Sequence, residues 1–153
     1  MSFFRELFGN YILIAAVLSW MAAQALKTII DLLVHKQWNP QRIIGSGGMP
    51  SSHSALVCAF MVGTAREFGI GSFNFALAFL FAVVVMYDAM GVRRAAGEQA
   101  KVINVLVDNL VENSPDEADN MDLPEKKLQE YLGHTPTQVF AGAVLGGVIA
   151  MFL

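Results

Sequence analysis

The sequence predicts an all-α fold, an integral membrane helical bundle of about four spanning helices with a short amphipathic helix beside them. Three observations carry that expectation. Of 153 residues, 55% are hydrophobic and only 15% charged, and mean hydropathy is +0.50, too apolar for a soluble domain of this length. The apolar residues fall into four runs separated by segments rich in glycine, proline and charge. Two of those runs open on the same device, glycine with a proline and a capping hydroxyl, which marks a helix start. The composition also excludes other classes. A single cysteine, Cys58, cannot build a disulfide framework or a cysteine-rich metal site. The net charge of −3, without a basic run, gives nucleic acid no footing. Residues 1–153 read as one domain.

The first run extends from Phe8 to Val34, enough at about 1.5 Å per residue to cross a hydrocarbon core with some tilt. It is too long, with too little charge ahead of it, for a cleaved signal peptide, so it is expected to be retained. Gln24, Lys27 and Asp31, at spacings of three and four, share one helix face. A lysine at membrane depth needs a partner or a wet cavity, so Lys27 is either half of an i,i+4 pair with Asp31 or an anion-binding side chain. Residues 35–49 form a polar connection, and a second helix is expected to start at Pro50 or Ser51. Its apolar stretch, Ala55 to Ala65, is short for a full span and ends at Arg66 and Glu67, so its polar first turn should lie where backbone lines a protein cavity. Gly69 and Gly71 make the next turn, Phe73 to Met86 is the third run, and Tyr87-Asp88-Ala89-Met90-Gly91-Val92-Arg93-Arg94 closes it.

From Ala95 to Val111, Ala100, Val102, Ile103, Leu106, Val107 and Leu110 recur among Glu98, Lys101, Asn104 and Asp108, the pattern of an amphipathic helix at the interface. An acidic loop follows at about 112–123, then a short helix from Pro124 to Leu132. Gly133-His134-Thr135-Pro136 opens the last run, Val139 to Leu153. Gly142 and Gly146 suit close helix packing and hint at a homo-oligomer. Four alternating spans bring Lys27, His53, Arg93, Arg94 and His134 to one side. The excess of Lys and Arg there places that side in the cytoplasm, in a cell inner membrane.

Around Gly47-Gly48-Met49-Pro50-Ser51-Ser52-His53-Ser54 the residues outline an anion site. Serines cap a helix whose unpaired N–H groups carry partial positive charge, and His53 in the first turn can pass a proton. An ordinary capped helix with a solvent-facing histidine is the alternative.

Pro50-Ser51-Ser52-His53-Ser54 resembles the second signature of the type 2 phosphatidic acid phosphatase superfamily, which also includes vanadium-dependent haloperoxidases. The segment His134 to Gly142 resembles the end of its third signature. With Tyr87-Asp88-Ala89 and Gly91-Val92-Arg93-Arg94, the chain is similar over nearly its whole length to the small divergent membrane branch of that superfamily. The resemblance implies that His134 attacks phosphorus to form a phosphohistidine and that His53 protonates the leaving alkoxide. It implies that the amides around Ser51 and Ser52, with Lys27 and Arg93 or Arg94, hold the non-bridging oxygens, with no metal or other cofactor. Ser52 stands where the family usually has glycine, and Gln138 where an aspartate orients the nucleophile, a role open to Asp88 unless Asp88 simply pairs with Arg93. The arginines lie farther before His134 than the family's spacing. The implied function is a membrane phosphatase acting on a lipid phosphate or diphosphate, with membrane lipids as its surroundings. The alternative is a pocket that binds a phosphate head group without hydrolysis.

Overall fold

The computed structural model describes residues 2–36, 48–114, 127–128 and 133–153, and all regular structure among them is helical. The elements are α1 (Ser2–Gly9), α2 (Tyr11–His35), α3 (Ser52–Phe68), α4 (Phe73–Met90), α5 (Val92–Asn113) and α6 (Pro136–Phe152).

The first apolar run does not form one helix. Asn10 accepts from the Leu13 amide at 3.0 Å and caps α2, which leaves Phe8 in the separate helix α1. Pro50 lies before the cap of α3, not in its first turn: Ser51 is the N-cap, its Oγ accepting from Ser54 N. Thr135 caps α6 in a capping box with Gln138, and Pro136 takes the first helical position. Past Met86, α4 continues to Met90, because Tyr87, Asp88 and Ala89 keep the helical ladder until Gly91 breaks it. α5 is longer than its apolar pattern at both ends, so Arg93 and Arg94 fall in its first turn and Glu112 and Asn113 close it instead of opening a loop. The remainder of the acidic segment, and all of the helix expected from Pro124 to Leu132 except Lys127 and Leu128, lie outside the described residues.

By length and composition, α2 and the stretch running through α4 are apolar enough to cross a membrane. α3 and α6, of 17 residues each, fall short of the roughly 20 residues that ~30 Å of hydrocarbon asks for. α3 is the inner helix, whereas α6 buries one face, Val139, Gly142, Gly146 and Ala150, and exposes the other. Small residues recur every fourth position on three helices: Ala15, Ser19 and Ala23 on α2; Ala55, Ala59 and Gly63 on α3; Gly142, Gly146 and Ala150 on α6. Ala15, Ala59 and Ala150 form one buried cluster. A Cβ on Gly142 would lie 2.2 Å from Ser51 O, and one on Gly146 would lie 2.0 Å from Ala55 O. The glycine pair that hints at self-association in the sequence is thus spent inside the chain, bringing the α6 and α3 backbones together.

On its other flank α3 meets α4, where Val57 and Cys58 pack with Ala82 and the Phe60 and Phe81 rings meet edge to face. Far from the histidines, Arg66 lies over the Tyr11 ring, and Tyr11 and Arg66 both donate to the Ala150 carbonyl. This ties the start of α2 to the ends of α3 and α6. In α5, Asn104 is buried, contrary to its place on the polar side of the pattern. Its Nδ2 donates to Leu128 O at 2.8 Å and its Oδ1 accepts from Leu128 N at 2.9 Å. Val102, Ile103, Val105 and Leu106 remain exposed.

Candidate active site

Four chain segments converge: α2 about two turns before its end, the start of α3, the junction of α4 and α5, and the start of α6. Backbone hydrogen bonds and close glycine contacts hold them together. The Ser51 N–H donates to Gln138 O at 3.0 Å, fixing the first turn of α3 to that of α6. The His134 N–H donates to Ala89 O at 3.0 Å. Gly133 lies flat against the first turn of α5, since a Cβ there would come within 2.4 Å of Arg94 N. Gly48, at φ +84, lets the loop before Ser51 cover the Lys27 stem, whose Cγ would be 3.1 Å from an added Cβ.

His53 and His134, far apart in sequence, come together with ring centroids 6.3 Å apart. Lys27 is buried and its ammonium donates to Gln24 Oε1 at 2.8 Å. The charges of Arg93, Lys27 and Asp88 all act on His53. Burial holds the His134 ring below its ordinary value of 6.5; the Gln138 hydrogen bond opposes this, while Lys27, His53 and Arg93 add to the lowering.

The partner of His134 is Gln138, 3.1 Å from Nδ1. The same side-chain atom accepts from the Thr135 N–H at 3.1 Å. An amide N–H only donates, so that atom is the carbonyl oxygen, and His134 Nδ1 must carry the proton that reaches it. Nε2 is then the nitrogen with the free lone pair.

Asp88 is placed on Arg93, Oδ2 to Nε at 2.7 Å, with both side chains partly exposed. Gln138, not Asp88, is the side chain bonded to the His134 ring. Arg93 is the arginine whose charge acts on both rings; Arg94 pairs along its own helix with Glu98 at 3.2 Å. Ser51 has committed both its hydroxyl, to Ser54 N at 3.4 Å, and its N–H. Among the described residues, the first-turn amides of Ser52 and His53 are the ones left to meet an anion. Sequence reasoning named Gly48 and Gly133 within the two helix-start motifs but not the surfaces they meet, and it did not single out the Ala89 carbonyl. Gly133 and Gly48 carried a signal, sitting directly beside the two histidine motifs, but a carbonyl carries none.

The model of a family described as the Divergent PAP2 family matches residues 8–149. The chain is 41% identical over 154 aligned residues to the "Uncharacterized membrane protein YuiD" of Bacillus subtilis (strain 168), covering 97% of this chain and 96% of that protein. No solved structure matches. The family match runs through both histidine segments and the α4–α5 junction, so this PAP2-related membrane protein belongs to the divergent PAP2 family.

Proposed function

We propose that the protein is an integral membrane phosphatase that hydrolyses a lipid phosphate or diphosphate through a phosphohistidine on His134. The observation that carries this reading is the pairing of two histidines at 6.3 Å beside a buried lysine, with one ring held in the tautomer that frees Nε2.

The lone pair of His134 Nε2 forms a bond to phosphorus as the bond from phosphorus to the leaving oxygen breaks. His53, protonated, gives its proton to that oxygen. Neutral His53 then takes a proton from water as the water oxygen attacks phosphorus, and the P–N bond breaks to return the His134 lone pair. Lys27, Arg93 and the amides of Ser52 and His53 serve the equatorial oxygens, where charge stabilisation and positioning supply most of the catalysis. Low basicity suits His134 as nucleophile, since the ring stays unprotonated through neutral pH. The site faces the cytoplasm on the Lys and Arg balance: Lys36, Arg42, Arg93, Arg94, Lys101, Lys126 and Lys127 on its side against Arg5 and Arg66 opposite.

A second reading, a pocket that binds phosphate head groups without turnover, is favoured by Gln138. An amide orients the ring but offers no charge to the imidazolium. Phosphate release from lipid phosphates and diphosphates by the purified protein, with chelator present and His53→Ala alongside, separates the two. Release that survives chelator and is lost in the variant supports hydrolysis. Binding of phosphate without release supports the pocket.

A further inference from the structure

We propose that the hydrocarbon chain of the ligand enters laterally between α2 and α4 and lies along the face of α3 that carries His53, Leu56 and Phe60. The inference rests on the phosphate-site reading and adds where the rest of the molecule goes.

α3 is the central helix, and its faces can be assigned one by one. Ser54 and Ala55 meet α6 through Gly142 and Gly146. Ala59 meets α2 through Ala15, and Gly63 meets it at Ile12. Val57 and Cys58 meet α4 through Ala82. The remaining face, at steps of three and four residues, is His53, Leu56 and Phe60. All three are half-buried, whereas most of α3 is buried. α2 packs on α3 and α6, α4 packs on α3 and touches α6, but among the described residues α2 and α4 do not meet. Among the described residues this partly covered face of α3, with Leu56 against the Val57 and Cys58 cluster and Phe60 against Phe81 at its α4 edge, therefore looks out through the gap between them.

The two ends of that gap differ in chemistry. At the head stand Lys27, about two turns before the end of α2, His53, and Arg93 just beyond the end of α4. Below His53 the floor is Leu56 and Phe60, with the Phe81 ring at the α4 side. From His53 to Phe60 is seven residues, about 10 Å of helix. Water against these side chains would be unfavourable. An amphiphile with an anionic head and a single hydrocarbon chain in the gap matches both charge and polarity along its length.

The probe is phosphatidic acid carrying a diazirine midway along one acyl chain, photolysed with the full protein in lipid nanodiscs and followed by peptide mapping. Labelling is expected on the α3 segment from Leu56 to Phe60. Excess unlabelled phosphatidic acid should compete it away more effectively than diacylglycerol. Leu56→Trp, which fills the gap, should cut that labelling by roughly tenfold, while Leu77→Trp on the exposed face of α4 should not. If Leu56→Trp does not fold, Leu56→Phe serves in its place. Labelling confined to other helices, or unaffected at Leu56, overturns the proposal. Phosphate release from the wild type is measured in parallel: no release with α3 labelled defeats the hydrolytic reading and leaves the gap standing. Release without α3 labelling does the reverse.

Discussion

Replacing Gly142 by alanine tests how tightly the site depends on the contact between α3 and α6. The added Cβ would lie 2.2 Å from Ser51 O, and the equivalent change at Gly146 would put it 2.0 Å from Ala55 O. An ordinary carbon–oxygen contact is about 3.3 Å, so the backbones must separate by about 1.1 Å and 1.3 Å respectively. Both partners are backbone carbonyls and cannot rotate away. Overpacking of this kind costs roughly 1–3 kcal/mol, and both variants should lose thermal stability in detergent to a similar degree. Their effects on turnover should differ. At Gly142 the displacement stretches the Ser51 N–H to Gln138 O bond from 3.0 Å to beyond hydrogen-bonding distance and moves His53 relative to His134. A shift of that size costs on the order of a hundredfold in rate. Gly146 lies one turn farther from the histidines, so Gly146→Ala should lose much less activity at equal stability loss. A Gly142→Ala protein with wild-type unfolding midpoint and wild-type turnover would refute the packing that places the two histidines.

Four other outcomes follow from the same geometry. Gln138→Glu keeps the acceptor for Thr135 N and His134 Nδ1 and adds a negative charge, so the acid limb of the pH–rate profile should move to higher pH; a limb that stays put would break the link between Gln138 and the nucleophile. Because burial depresses His134 in the folded state, the ring binds a proton more readily when unfolded. Its contribution to stability is fully present above 6.5 and is lost as pH falls through the depressed value, and His134→Asn should flatten that dependence in denaturation curves taken across the window. Gly133→Ala meets Arg94 N at 2.4 Å and should lower kcat more than it changes KM, since it displaces His134, the proposed nucleophile, while leaving Lys27 in place. Tyr11→Phe removes a hydroxyl that bonds Ala150 O and accepts from Arg66; it should cost about 1 kcal/mol in stability and leave turnover near wild type, because that lock lies at the opposite end of the bundle.

Much of this arrangement was legible from residue type and spacing. Ser51 and Thr135 announce helix starts because a hydroxyl before an apolar run is the cheapest acceptor for an orphan N–H. The alternation of apolar runs sufficed to bring Lys27, His53, Arg93 and His134 to one end. What escaped the sequence is identity of partners. Gly142 and Gly146 advertise close packing, but nothing in their spacing says that the surface they meet is α3 and not another copy of the chain. Asn10 is an unremarkable polar residue within an apolar run until its side chain caps α2. Asn104 falls on the polar side of a helical pattern, and its burial depends on Leu128, 24 residues away. Gln138 reads as a lost charge; only with Thr135 N on the same oxygen does it become the residue that sets the tautomer of His134.

The central claim is that His134 is the nucleophile, and the most direct measurement is to trap the phosphorylated protein. A lipid phosphate labelled in its phosphate group is mixed with the protein, the reaction is quenched in alkali, where a phosphohistidine survives, and the labelled peptide is mapped. Label on the peptide that contains His134, absent in His134→Ala and lost on treatment with acid, is the expected result. Phosphate release that continues in His134→Ala, or label that maps to His53, would contradict it.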